Sequence, residues 1–249
     1  MIPFRIRKIS SIFLLALTAV LLSLPVHAKE QRVSPGINAP FIHPDFQEWV
    51  KRFERPGREV YDKRYEIVSA MDLKPGMTVA DIGAGTGLFT RIFASSVGTE
   101  GKVYAVDISK TFVDNIMRIA HEEGLKNVEG IVNTPTDAML PSNSIDVAFI
   151  CDTYHHFEYP NSMMQSIYRA LKPGGIVIVV DFERNKGMSS EWIMEHVRAG
   201  KGTVIKEIES DGFKFVEEKH ILQENYFLKF IKSAVTPFPT ADRGQISTK

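Results

Sequence analysis

The sequence predicts an α/β fold, in which one mostly parallel sheet is covered by helices on both faces. Short apolar runs alternate with amphipathic stretches between residues 78 and 182, which is the pattern of strand–helix units. The runs are apolar at nearly every position, as expected for parallel strands buried between two helical layers. The chain has 249 residues and is 44% hydrophobic, so it can form one sizeable core. We therefore expect a single α/β domain.

The charge balance argues against a nucleic-acid partner. Lysine plus arginine amounts to 30 residues and aspartate plus glutamate also to 30, so the net charge is zero. Nucleic-acid-binding domains carry a basic excess, which this composition lacks. We expect a small-molecule substrate and leave the oligomeric state open. The single cysteine, Cys151, excludes an internal disulfide and is best explained as a small buried apolar residue.

The first 28 residues have the layout of a secretory signal peptide. Three basic residues within the first eight precede a nearly continuous apolar stretch from Ile12 to Leu22. A membrane-spanning helix needs ~20 apolar residues, so this stretch is short for one. We therefore expect cleavage after Ala28 and a periplasmic or secreted protein without stable membrane contact. The alternatives are an uncleaved anchor in the inner membrane and a misassigned start codon.

Two segments precede the first strand. Residues 29–44 are rich in proline and glycine and predict an irregular, loosely packed lead-in. From residue 45 a helical period begins, with aromatic residues on one stripe. Pro56-Gly57 ends it, and a second helix is predicted over 58–71. Together residues 45–72 would form a helical lid over the sheet.

The rest of the chain is predicted to alternate between strands and helices before a polar tail. Strands are expected at 78–82, 102–107, 128–133, 145–151 and 176–182, and helices at 88–96, 109–123, 161–171, 189–199 and 204–210. Alternating patterns at 212–217 and 226–230 predict a terminal antiparallel pair. Residues 236–249 are polar and aperiodic, so we expect a disordered tail.

A glycine-rich turn follows the first strand and indicates a nucleoside cofactor. In Gly83-Ala84-Gly85-Thr86-Gly87, missing side chains allow backbone N–H groups to approach a ligand. A dinucleotide fingerprint is Gly-x-Gly-x-x-Gly, but here the third glycine comes one position early. Asp81 can hold a ligand amino group or order the loop, and Asp107 can accept both ribose hydroxyls. This set favours S-adenosylmethionine (SAM) over a dinucleotide.

Residues 60–230 resemble class I SAM-dependent methyltransferases, close to the branch that contains the quinone-biosynthesis C-methyltransferases. The matching segments are 79–87, 105–107, 146–149 and 171–175. The resemblance implies one Rossmann-like domain over residues 45–235. Its seven-stranded sheet would have six parallel strands and one antiparallel strand, with SAM across the carboxyl ends of the first strands.

The resemblance also implies roles for individual residues. Gly83, Ala84, Gly85 and Gly87 would cradle the methionine and ribose part of SAM, and Asp107 would bind the ribose. Asp137 would contact the adenine amino group, although Thr134-Pro135-Thr136 departs from the usual family pattern before it. Ile108 and Ala138 would pack on the adenine ring, and Tyr61 would reach the cofactor or substrate from the lid.

The candidate catalytic residues follow the fourth strand, where an open parallel sheet has its ligand crevice. Asp152, His155 and His156 are expected to face the methyl group or the acceptor, with His155 as general base. The alternative for His156 is that it caps the next helix or fills a polar gap. These residues and Glu158 resemble metal ligands, but adjacent histidines on a turn point apart, so we expect no metal.

Topology alone predicts a second wall of the substrate pocket after the fifth strand, formed by Glu183, Arg184, Trp192 and His196. The expected reaction is in-line methyl transfer from SAM to a small-molecule nucleophile, with an aromatic or quinone-like acceptor foremost. The alternatives are methylation of an exported protein or peptide, and SAM binding without catalysis. An export signal before a SAM site is itself a conflict, because SAM is made in the cytosol.

Overall fold

The computed structural model describes residues 30–234, and within them seven strands form one sheet. The predicted signal segment 1–28 and the tail 236–249 lie outside the described residues. The strands are β1 (Thr78–Ile82), β2 (Lys102–Asp107), β3 (Val128–Val132), β4 (Ile145–Cys151), β5 (Leu171–Phe182), β6 (Phe213–Glu218) and β7 (Asn225–Lys232). Their order is β3-β2-β1-β4-β5-β7-β6, and β7 is antiparallel to both neighbours. The predicted fold class and the terminal antiparallel pair are confirmed.

Helices cover both faces of this sheet. They are α1 (Phe46–Phe53), α2 (Glu59–Asp62), α3 (Arg64–Ala70), α4 (Leu88–Val97), α5 (Lys110–Glu122), α6 (Pro160–Ala170), α7 (Glu191–His196) and α8 (Lys201–Ser210). Apolar side chains of α3, α4 and α5 pack in one core cluster, and those of α6 and α8 in the other. None of these helices combines the length and the apolar character needed to cross a bilayer.

The continuous apolar strands build both cores at once, because successive side chains point to opposite faces. In β1, Val79 enters one cluster, whereas Ala80 and Ile82 enter the other. In β4, Phe149 and Ile150 divide in the same way, and both are fully buried. Burying such a side chain contributes roughly 1.5–3 kcal/mol, so a polar residue within these strands needs a specific reason.

The lead-in is tied to the domain by polar contacts that the sequence did not predict. The Glu30 carboxylate accepts hydrogen bonds from the backbone N–H groups of Asn161 and Ser162, both 2.8 Å long, at the start of α6. Arg32 forms a 2.6 Å ion pair with the buried Glu158. The Asn38 amide donates to the carbonyl of His156 over 3.1 Å. Proline and glycine here mark irregular backbone, which the rest of the domain holds in place.

The lid is also smaller than predicted. The expected second helix is broken at Lys63 into α2 and α3. Ile67 and Met71 of the α3 region are buried in a core cluster, so α3 belongs to the helical layer of the sheet. The part that covers the ligand crevice is α1 with the turn that follows it, including Arg55 and Arg58.

Candidate functional site

A cavity of about 580 Å³ lies at the carboxyl ends of β1, β2, β4 and β5. Its volume is within the ordinary range for small-molecule sites. Strand β1 lies between β2 and β4, so the chain changes direction across the sheet at this place. Such a switch point leaves a crevice, because the connections after adjacent strands run to opposite faces. The site therefore follows from the strand order.

The glycine loop takes the left-handed backbone conformation that glycine tolerates best. Gly83 and Gly85 both line the cavity and have φ values of +74° and +56°. A Cβ on Gly83 would lie 2.3 Å from Thr153 Cγ2, and one on Gly85 would lie 3.4 Å from Phe53 Cε2. The N–H groups of Gly83 and Ala84 donate to the carbonyl of Val106, which fixes the loop against β2.

Asp107 lies beside this loop at the end of β2 and lines the cavity. One carboxylate oxygen accepts from the Gly85 N–H and the other from the Ser109 N–H, each over 2.8 Å. A carboxylate has about four lone-pair sites, so acceptor capacity remains for ligand hydroxyls. Burial raises the pKa of Asp107 to about 6, although hydrogen bonds from the backbone oppose the rise. The residues present therefore fit the ribose of a nucleoside cofactor.

Several other cofactor candidates from the sequence do not line the cavity. Gly87 is the N-cap of α4, where φ is +79° and a Cβ would lie 2.9 Å from Ile116 Cγ1. Ala84 is buried in the core. Both residues support the loop on the side that faces away from the cavity. Of the two residues expected against the adenine ring, Ile108 lines the cavity, whereas Ala138 is buried in the opposite core cluster.

Asp81 was expected either to hold a ligand amino group or to order the loop, and its contacts favour the ordering role. It is buried, lies outside the cavity lining and accepts a 2.6 Å hydrogen bond from the hydroxyl of Thr90 on α4. Burial raises its pKa to about 7, against the hydrogen bond from Thr90. The bond joins the end of β1 to the helix that the glycine loop opens.

Two predicted ligand contacts need correction. Asp137 is 40% exposed and forms an ion pair with Arg169, so it lies outside the cavity lining, which Asn133 and Pro135 reach instead. Tyr61 lies in a separate depression with Arg64, whose guanidinium is 4.3 Å from its ring centroid. Asp137 lies in the loop after β3 and Tyr61 lies on helix α2, and single-sequence spacing does not reveal which way either side chain points.

Asp152 lines the cavity, but its carboxylate is occupied on both oxygens. Arg58 donates to Oδ2 and Asn225 to Oδ1, each over 2.6 Å. The backbone φ of Asp152 is +47°, a conformation that aspartate tolerates better than most residues. Burial raises the pKa of Asp152, and the charge of Arg58 opposes that shift. This geometry favours a structural clamp over the predicted position facing the methyl group or the acceptor.

His155 is buried at the cavity wall with one ring nitrogen already paired. Its Nδ1 is 2.7 Å from Oδ1 of Asp181, a carboxylate that ends an otherwise apolar run of β5. Burial alone lowers the pKa of His155, but the charge and hydrogen bond of Asp181 outweigh it and raise the pKa. Because Nδ1 faces Asp181, Nε2 is the nitrogen available to a ligand.

Aromatic side chains surround the outer part of the cavity. Phe41 and Trp49 lie with ring centroids 4.7 Å apart on one side, and Phe182 and Trp192 lie 5.6 Å apart edge-to-face on the other. The predicted second wall is present in part, because Trp192 and His196 reach the cavity, whereas Glu183 and Arg184 are outside its lining. The sequence did not predict roles for Phe41 and Asp181. Asp181 could have been recognised, because it is the one acidic residue in an apolar strand.

The comparisons with known proteins agree with this geometry. The sequence profile of a methyltransferase-domain family matches residues 73–230. The chain is 30% identical over 172 residues to phosphoethanolamine N-methyltransferase 2 of Caenorhabditis elegans, covering 68% of this chain and 37% of that enzyme. It is 31% identical over 123 residues to a ubiquinone/menaquinone biosynthesis C-methyltransferase of Hydrogenovibrio crunogenus, covering 49% of this chain and 48% of that enzyme.

The chain therefore spans about half, or less, of the length of these two curated relatives. Among solved structures, a SAM-dependent methyltransferase from Aquifex aeolicus superposes with a TM-score of 0.68 at 25% identity, covering 76% of this chain and all of the other. The profile match extends over more than half of the chain, and the sheet order, glycine loop and Asp107 agree with it. The chain belongs to the methyltransferase-domain family and has the fold and cofactor class of the SAM-dependent enzymes.

Proposed function

We propose that this protein transfers a methyl group from SAM to a small aromatic acceptor that carries a hydroxyl group, such as a quinol or phenol. One observation carries the proposal: a single cavity extends from Gly83, Gly85 and Asp107 to the imidazole and aromatic side chains around His155 and Trp192. Cofactor and acceptor would therefore share one enclosure. Methyl transfer requires this, because donor and nucleophile must meet in line.

The cofactor half would be held by the loop and the ends of the first two strands. The open backbone at Gly85, the carboxylate of Asp107 and the apolar side chain of Ile108 suit a nucleoside. SAM, when bound, supplies a methyl group on a positively charged sulfonium. The carboxylate of Asp107 faces the same cavity and has no cationic partner there among the residues that the structure describes, which favours a positively charged ligand.

The acceptor half favours a planar ring. Trp192 stacks on His196 with centroids 4.6 Å apart and an interplanar angle of 20°, and Phe182 meets Trp192 edge-to-face. A flat aromatic acceptor can add to such a set through stacking and edge contacts. The curated relatives include both quinone and phosphoethanolamine methyltransferases. The aromatic wall favours an aromatic acceptor over an amine for this chain.

His155 would hold or receive the proton of the acceptor hydroxyl. The hydrogen bond from Nδ1 to Asp181 fixes the orientation of the ring and leaves Nε2 for the acceptor. The rest of the catalysis would come from exclusion of water and alignment of the two reactants. The cavity is covered by two pairs of aromatic side chains. They are Phe41 with Trp49, and Phe182 with Trp192.

Tryptophan fluorescence tests the two halves separately. The chain contains two tryptophans, Trp49 and Trp192, and both line the cavity. SAM should change the emission of the wild type, and Asp107→Ala should abolish that change. Trp192→Phe should retain the SAM response and lose the additional response to an aromatic acceptor. No response to SAM in the folded wild type would overturn the proposal.

Methyl-labelled SAM tests the acceptor class. Incubation with quinols, phenols, phosphoethanolamine and an exported-protein extract should place label in the aromatic fraction. Label in the macromolecular fraction would support a protein or peptide acceptor, and label in phosphoethanolamine would support the amine class. SAM binding with no label in any fraction would identify a SAM-binding protein without catalysis.

We also propose that the protein is exported, because residues 1–28 have the composition of a signal peptide. Fractionation with N-terminal sequencing tests this. A mature chain beginning at Lys29 outside the cytosol is expected. An intact Met1 in a soluble cytosolic fraction would contradict it.

A further inference from the structure

Three imidazoles meet on the wall of the cavity. His155 and His156 lie on the turn after β4, and His196 ends α7. One ligating nitrogen from each ring lies within 4.8 Å of those from the other two. The sequence had suggested Asp152 and Glu158 as partners of the first two, but those carboxylates are paired with Arg58 and Arg32. The fold brings in a different third ring.

The distances suit a metal ion better than hydrogen bonding alone. Nε2 of His156 and Nε2 of His196 are 3.4 Å apart, which is long for a hydrogen bond between rings. Tetrahedral zinc with Zn–N bonds of about 2.0–2.1 Å places its ligand nitrogens about 3.4 Å apart. The two rings therefore already have the separation that one shared ion would impose.

The third ring has the support typical of a metal ligand. A histidine that binds a metal through Nε2 usually donates its Nδ1–H to a carboxylate, which fixes the ring and increases its basicity. His155 has this arrangement with Asp181 over 2.7 Å. Both groups are nearly fully buried, at 3% and 1% exposure, so the orientation is firmly held.

His156 has a ring nitrogen that its surroundings do not satisfy. Its Nδ1 is buried and has no hydrogen-bond partner within residues 30–234. Packing alone gives little reason to place an imidazole here so incompletely paired.

We propose that His155, His156 and His196 bind one divalent transition-metal ion of the zinc class, with a fourth position open to the cavity. Three protein ligands and one open position are the arrangement of reactive rather than structural zinc sites. The metal site itself does not depend on the proposed function, because it is defined by three side chains and can be measured without SAM.

The consequence for the reaction does rest on the proposed function. An acceptor hydroxyl at the fourth position would lose its proton to water more readily, because the cation stabilises the oxyanion. The oxygen would then form the bond to the methyl carbon as the carbon–sulfur bond breaks, which releases S-adenosylhomocysteine. With the metal bound, His155 is a ligand and not a free base.

Metal binding is tested on full-length, tag-free protein in the absence of SAM. After treatment with a chelator and its removal, titration with Zn²⁺ should show about one ion per chain, and Co²⁺ should give the visible absorption of a tetrahedral site. His156→Ala and His196→Ala should each abolish the cobalt spectrum and lower zinc affinity at least 100-fold. Asp181→Asn should lower it about 10–100-fold.

The matched control is His220→Ala, because His220 is 82% exposed and away from the cavity lining. It should bind zinc as the wild type does. His196→Gln serves as a second variant, and unfolding transitions of the metal-free variants establish that each is folded. Equal zinc affinity in the wild type and the folded His196 variants would overturn the proposal. Unchanged SAM binding in His196→Ala would separate loss of the metal from failure of the methyltransferase site.

Discussion

Arg58 and Asp152 form a 2.6 Å ion pair that joins the turn after α1 to the residue that follows β4. The two side chains are 21% and 11% exposed. Arg58 also donates to the carbonyl of Phe53 over 2.9 Å, so one guanidinium links the cover of the cavity to its floor. The position of the cover therefore depends on a charge contact across 94 residues of sequence.

Replacement of this arginine should loosen the cover and destabilise the fold. Arg58→Ala leaves the Asp152 carboxylate buried without its cation, which costs roughly 3–5 kcal/mol in the free energy of unfolding. Urea unfolding measures this loss. Arg58→Ala combined with Asp152→Asn should recover much of it, because the buried charge is then removed. Lys51→Ala, which breaks an exposed pair with Glu48, is the control and should have little effect.

Alanine at Gly83 should abolish SAM binding. The new Cβ would lie 2.3 Å from Thr153, and φ at this position is +74°. The loop must then move away from the end of β1. Gly124→Ala is the matched control, since φ is +70° but nothing lies within 4 Å of its Cβ. It should cost only the ~1–2 kcal/mol of the left-handed backbone and leave the SAM dissociation constant unchanged. Equal effects of both changes on SAM binding would argue against the loop as the cofactor site.

The affinity for SAM should fall as the pH decreases through about 6. Burial raises the pKa of Asp107 to about 6, so below that pH the carboxyl is protonated and accepts ribose hydroxyls less well. Fluorescence titration between pH 5 and pH 8 measures the effect. Asp107→Asn should bind SAM about 10–100-fold more weakly and without this pH dependence, because the charged acceptor is lost. A wild-type affinity that is flat over this range would contradict the role of Asp107.

The cofactor-free protein should lose stability as the pH rises from about 4 to about 7. Burial raises the pKa of Asp81 in the folded state from 3.8 to about 7, so the folded state binds more protons than the unfolded chain in this window. Asp81→Asn should reduce the difference in unfolding free energy between pH 5 and pH 8. Thr90→Val is a useful contrast, because it removes the hydrogen bond to the carboxylate and should enlarge that difference.

Tyr61→Phe should leave the SAM dissociation constant within about twofold of the wild type, since Tyr61 lies in the separate depression with Arg64. Phe53→Ala is the matched change, because Phe53 lies on the side of the lid that lines the cavity. Its ring would lie 3.4 Å from a Cβ on Gly85, so its removal should weaken SAM binding. A larger effect at Tyr61 than at Phe53 would restore the original expectation for the lid.

The sequence predicted those parts of the site that neighbouring residues encode. The run from β1 through Gly83 and Gly85 is continuous, and Asp107 ends the next apolar run, so pattern and spacing were sufficient. Asp137 and Tyr61 were misplaced because spacing does not report how the loop after β3 and the short helix α2 lie against the sheet. No local pattern reports the direction in which an irregular segment leaves its strand.

The histidine cluster shows that sequence spacing also misses residues that the fold brings together. His155 and His156 were visible as a pair, but His196 lies 40 residues further on, at the end of a short helix. Topology predicted that His196 lies near the pocket, but it did not predict which side chains the ring contacts. Only the packing of α7 against the end of β5 brings the third imidazole into reach, through Phe182 and Trp192.

The anchored lead-in implies an order of assembly during synthesis. Glu30, Arg32 and Asn38 find their partners 118 to 132 residues later, around Glu158 and the start of α6. The contacts of this early segment can therefore form only after more than half of the chain has been synthesised. Contacts of such long range form late and slow folding. The cavity wall that contains Phe41 therefore cannot form before residues 156–162 have been made.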